Sequence, residues 1–582
     1  MLRSDREPLV NWPENQFKLG INMAGAVSAG AYTAGVIDFL MEALEEWQTR
    51  KDALRAWLAQ PVGAAPELVP LHDVSIEIFS GASAGGMCAA IASVMVQQDF
   101  VHIRTGQETN TNNTFYEAWV NRIDIRELLK TQDMDSGAPL TSILDSTIID
   151  EIAESALTPG ITVPRPYISP QLTLMLTLTN VRGTPYQLYE DPAPGIEEFT
   201  RYYGDKLQFE TTVGSAPPVS VGAKPLPAGA PGTGAWPLLK LAAKATGAVP
   251  LVLAPRIIDR DVADYIDPPW TTPCTAPTAP VNPAFPVPPP VPLQTLNVDG
   301  GVTDNDPFDL AHDFLAFRNS QAQKTPGDCQ NPRPAAEANC AVITVAPFPA
   351  LDKFDPGYSP QAESGIWRML GKLIDVLISQ SRFLGESLAV LATGTAFSQF
   401  VIAPSDDDNP DIPALQCASL GAFGGFFARD FRAHDFLLGR RNCQQFLKTH
   451  FLLPTANPVI AAGLQSSGSL SAQIEAAFLT PAPSVATSRL GYRWLPLIPC
   501  KGTAETEVPS PPRSKLANSD LDSILDLIVN RIKAIKSPLL VGAPGIVSCA
   551  VGLLLAWPTS TLIKTKLRAA IAKGLGSNLE GQ

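Results

Sequence analysis

Residues 74–96 constrain the fold more than any other stretch of the chain. Val74-Ser75-Ile76-Glu77-Ile78-Phe79 alternates apolar and polar side chains, the period of a strand. Gly81-Ala82-Ser83-Ala84-Gly85 follows, built of small residues only, and Gly86 to Val96 is small and apolar, the composition of a buried helix. A strand, a five-residue turn and a buried helix in that order project residue 83 beyond a sheet edge. Gly81 and Gly85 carry no side chain that would collide in so sharp a turn. The helix that begins behind Ser83 aims its unpaired N–H groups and positive dipole end at the hydroxyl, which favours any negative charge developing there.

The same order opens the chain. Phe17, Leu19, Ile21 and Met23 alternate with small or polar residues, a Gly/Ala-rich run spans Ala24 to Gly30, and Val36, Phe39, Leu40, Ala43, Leu44 and Trp47 then take helical spacing. Leu172, Leu174, Leu176 and Leu178 mark a third strand, Thr295–Val298 a short one ending at Asp299, and Ala341–Val345 another. Strands separated by helical stretches predict an α/β layered fold around a largely parallel sheet. Two proline-dense stretches, at about 214–236 and 267–294, read as exposed extended loops framing the approach to Asp299. Beyond about residue 350 strand signals thin out; 366–391 and 521–535 have helical spacing, so 351–582 is expected to be a mainly helical C-terminal region packed on the domain at 15–350.

A serine needs a base. The chain has five histidines, and none of His72, His102, His312, His434 and His450 stands in a context that marks it as that base, although a His-based triad through His434 or His450 remains open. Asp299, in Val298-Asp299-Gly300-Gly301, sits at a strand end before two glycines that allow a carboxylate to approach another loop closely. A partly desolvated carboxylate can take a serine proton directly. Gly25-Ala26-Val27-Ser28-Ala29-Gly30 offers backbone N–H groups for an oxyanion at the end of the first strand; it lacks both the Gly-x-Gly-x-x-Gly of a dinucleotide loop and the Lys-Ser/Thr of a P-loop.

Taken together, residues 25–30, 81–85 and 299–301 resemble the patatin-like phospholipases in order and approximate separation. Ala243–Pro250, with its small residues and terminal proline, and the Asn305-Asp306-Pro307 turn are similar to family segments as well. The resemblance covers about residues 15–350. It implies a three-layer fold with a central mostly parallel sheet. It also implies Ser83 as nucleophile, Asp299 as general base, and Gly25, Ala26 and Val27 on the oxyanion loop. The implied activity is a lipid acyl hydrolase working through an acyl-enzyme, with no cofactor and no metal. The chain departs from the family in carrying Ala26 and Val27 where glycines are common, and Ala29 at a usually basic position. The alternative that these departures leave open is a catalytically weak lipid-binding or membrane-associated protein retaining the fold.

Bulk properties fit these expectations. Of 582 residues, 45% are hydrophobic and only 17% charged, enough apolar material for a large core. A net charge of -14 with no basic stripe argues against nucleic acid, and the resemblance implies a phospholipid or other acyl-ester lipid, or a membrane surface, as the partner. No apolar stretch follows the first residues, so a cytoplasmic protein is expected. Leu539–Ile563 is uncharged and followed by Lys564, Lys566 and Arg568, which reads as a membrane-associated segment or a buried helical hairpin. The eight cysteines read as free thiols, with Cys329 and Cys340 the pair placed to join if the compartment is oxidising. The polar–aromatic run Gly424–Asn442 reads as a structural ion-pair network.

Overall fold

A computed structural model describes residues 15–581 apart from 108–111, 135–139, 188–198, 215, 267–273, 275–280, 324–328, 349–395, 411 and 541–559. The helix expected at 366–391 lies outside the described residues, as does most of the segment 539–563.

The strands are β1 (Gln16–Met23), β2 (Asp73–Gly81), β3 (Ile168–Gln187), β4 (Phe199–Thr212), β5 (Lys224–Pro227), β6 (Arg256–Arg260), β7 (Leu293–Asp299), β8 (Cys340–Val345) and β9 (Gln399–Ile402). The main helices are α1 (Gly30–Ala59), α2 (Ser83–Met95), α3 (Trp236–Thr246), α4 (Phe308–Gln323), α5 (Arg429–Thr449), α6 (Asn518–Leu540) and α7 (Ser560–Leu575). These nine strands form one sheet in the order β5-β4-β3-β2-β1-β8-β9, with β7 pairing β3 and β6 pairing β7, and Leu452–Pro454 and Trp494–Pro496 make a separate antiparallel pair. The pairs β1–β2, β2–β3, β1–β8, β8–β9 and β4–β5 are parallel, and β3–β4, β3–β7 and β6–β7 are antiparallel. The protein is therefore α/β with a mostly parallel central sheet, the fold class read from the strand–helix alternation.

Sequence periodicity explains the layers. Phe17, Leu19, Ile21 and Met23 of β1 point into the larger core, while Gly20 between them faces α4, where an added Cβ would meet Leu315 and Val342. Phe308, Ala311, Phe314 and Leu315 of α4 bury the second face against Ile78, Met175, Cys340 and Val342. In β2 the register slips by one residue between Ile76 and Ile78, so Ile76 and Phe79 share one face and Ile78 takes the other. A strict two-residue period, read from the sequence, does not reveal that bulge.

Helix α1 is buried nearly all round rather than along one stripe, because α2 and α5 cover it. The continuous stretch Val27–Ala59 that contains it is long and apolar enough to cross a membrane, and its most apolar part is almost wholly buried inside the fold. The run Gly424–Asn442 supplies the charge that this burial demands. Arg440 of α5 pairs with Asp38 and Glu42 of α1, all three buried. Burial pushes the Glu42 carboxyl up, but the Arg440 charge, the hydrogen bonds from Thr503 and Arg440 and the nearby His102 together outweigh it and hold the group at about 2. Arg440→Met removes the buried cation between the two carboxylates and leaves the part-exposed Arg104 on Glu42 and His102 on Asp38. Chemical unfolding should then show a loss of about 3–5 kcal/mol, against less than about 1 kcal/mol for an exposed pair such as Arg122–Glu151.

Three expectations change. The sheet does not end near residue 350: β9 is its last strand, and the C-terminal region packs as part of the same core. The proline-dense stretch 214–236 is not all loop, because Lys224–Pro227 pairs with β4 at the sheet edge, where a missing N–H is tolerated. Cys329 pairs with Cys274, across a Cα–Cα distance of 5.6 Å, and not with Cys340. Cys340 opens β8 and is buried against α4, its thiol donating to Asn331 Oδ1 at 3.0 Å.

Candidate active site

The site lies at the carboxyl ends of β1 and β2, the usual position for chemistry on a parallel sheet. Ser83 begins α2 directly after β2 with φ of 53°, a left-handed conformation rare for a residue with a side chain. Such strain, of order 1–3 kcal/mol, persists only where surrounding structure enforces it. The neighbours do so here. An added Cβ at Gly85 would lie 2.1 Å from the Met23 carbonyl oxygen, so only glycine lets α2 pack this close to β1. The Ser83 amide donates to Thr246 Oγ1 at 3.0 Å, which fastens the turn to the end of α3.

Asp299 arrives from the opposite direction. Strand β7 runs antiparallel to β3 with Asp299 opposite Leu178, and the Asp299 amide donates to the Ala248 carbonyl at 2.9 Å. Ser83 Oγ donates to Asp299 Oδ2 at 2.6 Å. The other carboxylate oxygen accepts the Gly301 amide at 2.7 Å. An added Cβ at Gly300 would lie 2.2 Å from the Thr177 carbonyl oxygen, so the turn after Asp299 requires glycine for close approach. Burial pushes the Asp299 carboxyl up to about 7, against the opposing pull of the Ser83 and Gly301 hydrogen bonds. That places a base of near-neutral pKa in contact with a hydroxyl.

Each histidine is engaged elsewhere: His72 with the Leu497 carbonyl, His102 with Asp38 and Glu45, His312 with Asp313, His434 with Asp435 and His450 with Thr449. The His-based triad through His434 or His450 has no support in these contacts.

The residues 25–30 turn beside Ser83, but the three expected donors differ. The Gly25 amide donates to the Asn305 carbonyl at 3.0 Å and is spent on holding the loop to the turn after Asp299. The amides of Ala26, Val27 and Ala84 have no acceptor among the described residues. Val27 adopts φ of 48°, so the backbone takes a glycine-like conformation without glycine. What holds it there comes from the far end of the chain. The Ser28 amide donates to the Ala422 carbonyl at 3.2 Å, the Ser28 hydroxyl donates to the same oxygen, and Gly425 N donates to Ser28 Oγ at 3.1 Å.

An apolar cavity of about 30 Å³ opens beside Ser83, walled by Val27, Met87, Trp119, Leu144, Val252, Phe423 and Phe426. Thr246 falls in the Ala243–Pro250 stretch singled out in the sequence, but its contact with Ser83 was not legible there. Ser28 and Phe426 fall in stretches singled out in the sequence, but the joining of their segments, nearly four hundred positions apart, and the part of Phe423 were not legible there.

No known family profile matches the chain. It is 29% identical over 562 residues to the uncharacterized protein y4iI of Sinorhizobium fredii (strain NBRC 101917 / NGR234), covering 89% of this chain and 75% of that one. Among solved structures it is similar to VipD from Legionella pneumophila at 12% identity, covering 98% of this chain and 89% of that one, with a TM-score of 0.21. Neither likeness names an activity for this chain, and the site's own geometry must carry one.

Proposed function

We propose that the protein is a serine hydrolase of acyl esters, of the lipid acyl hydrolase type, acting through a Ser83–Asp299 dyad. The observation that carries this reading is the 2.6 Å hydrogen bond from a strained serine to a buried carboxylate. Ser83 Oγ attacks the ester carbonyl as Asp299 Oδ2 accepts its proton. The amides of Ala26, Val27 and Ala84 receive the oxyanion. Asp299 returns the proton to the departing alcohol, leaving an acyl-Ser83 ester. A water then gives its proton to Asp299 and attacks the acyl carbon; as the bond to Ser83 Oγ breaks, Asp299 returns that proton to Oγ, and the carboxylic acid leaves. The apolar cavity beside the hydroxyl supports an acyl rather than a polar substituent on the reacting carbonyl. An unbonded amide on each of two loops favours catalysis over a fold kept only for lipid binding.

A fluorophosphonate probe should modify the wild type at a single site, the peptide containing Ser83, as read by peptide mass. Asp299→Asn should slow that labelling by about 100-fold or more, the scale of a lost general base. Modification elsewhere, or none in a folded protein, rejects the reading.

A further inference from the structure

We infer that Phe423 and Phe426, contributed by the C-terminal region, set the acyl-chain length and confine the substrate to short acyl esters. The inference rests on the hydrolase reading and narrows its acyl ester to the short end. Every wall of the cavity beside Ser83 other than the nucleophile itself is an apolar side chain or a glycine. Its volume of about 30 Å³ leaves room for roughly two water-sized groups. With the carbonyl carbon at Ser83, that space takes an acyl group of about four carbons or fewer.

The volume would be irrelevant if the wall formed by Phe423 and Phe426 yielded easily, and its anchorage says otherwise. The segment bearing the two rings is fixed at its start, where Gln416 N and Cys417 N each donate to a carboxylate oxygen of Asp435 at 2.9 Å. It is fixed at its middle by Ser28. It is fixed at its end, where buried Arg432 donates through Nη1 to the Gly425 carbonyl at 2.7 Å. Phe423 and Phe426 also pack edge to face, ring centroids 5.9 Å apart. A longer chain must displace these rings together with the hydrogen bonds that set the Val27 conformation, so extra methylenes act against the oxyanion loop as well as against the wall.

The test is the chain-length profile of the full-length protein on p-nitrophenyl acetate, butyrate, octanoate and laurate. The octanoate-to-butyrate ratio of kcat/KM is independent of the fraction of active enzyme, so a poorly folding variant does not blur it. The wild type should favour acetate or butyrate and fall by about tenfold or more at octanoate, the scale of methylenes refused by a fitted pocket. Phe426→Ala should raise the ratio by about tenfold. Phe423→Ala, at a half-buried position that tolerates truncation better, should raise it too. Phe427→Ala removes an equally buried ring that does not line the cavity and should leave the ratio unchanged. A wild type as fast on laurate as on butyrate overturns the inference alone, as does a ratio unmoved by both cavity variants or moved as far by Phe427→Ala. A folded wild type that cleaves none of the four esters overturns the hydrolase reading and the inference with it.

Discussion

Ser83→Ala is expected to lower kcat on a short aryl ester by about 10⁴-fold, and Asp299→Asn by about 10³-fold or more, with the double variant no worse than Ser83→Ala alone. The lack of additivity follows from the geometry. With the hydroxyl gone, the carboxylate 2.6 Å away has no proton to take, so its removal subtracts nothing further. Ser83 is also the smaller loss structurally, because serine to alanine leaves the φ of 53° and the Thr246 contact to the backbone amide in place. Loss of activity in Ser83→Ala with an unchanged unfolding curve is therefore the diagnostic pair. Wild-type turnover in both single variants would remove the dyad from the mechanism.

The legible part of this site is the part that is local in sequence. Gly81, Ser83 and Gly85 stand on one strand-to-helix turn, and Asp299, Gly300 and Gly301 on one strand end, so each piece announces itself through its own backbone requirements. Composition and spacing also give α2 and the alternating leucines of β3. What was not legible depends on contacts between distant segments. Gly25 looks like a donor, but its amide is used by Asn305, a residue whose position is set by β7 and α4. The β2 bulge at Glu77 is imposed by neighbouring strands rather than by local pattern. The partner of Cys329 is fixed by where the chain near Cys274 passes, and proximity to Cys340 in sequence carries no such information. The contribution of Ser28, Phe423 and Phe426 requires α5 to pack along α1, which no periodicity records. The Gly424–Asn442 run reads as an ion-pair network from its density of charged residues, but its contacts with residues 25–30 do not show in the sequence.

The pH response separates catalysis from structure at Asp299. The free base must be ionised to accept the Ser83 proton, and the carboxyl is pushed up to about 7 by burial. The logarithm of kcat/KM should therefore rise with a slope of about one from pH 5 to 7 and level above about pH 8. Stability should move the other way. The folded-state value lies above the unfolded value of about 3.9, so the folded protein holds this proton more tightly than the unfolded chain. The contribution of the neutral carboxyl is fully present below about pH 4 and is lost as pH rises through about 7. Asp299→Asn keeps the shape without the charge and should escape that loss. Its stability relative to wild type, measured by denaturant unfolding, should climb between pH 4 and pH 7 and then stay flat, by up to a few kcal/mol, on the order of 4 at most. Other titrating groups are common to both proteins and cancel in the difference. A variant that is inactive yet more stable at pH 8 than at pH 4, relative to wild type, identifies a carboxylate kept ionised in a buried site for chemistry. A difference that is flat across this range, or that falls as pH rises, would mean that Asp299 is an ordinary ionised carboxylate in the folded protein, and the base assigned to Ser83 would have to be sought elsewhere.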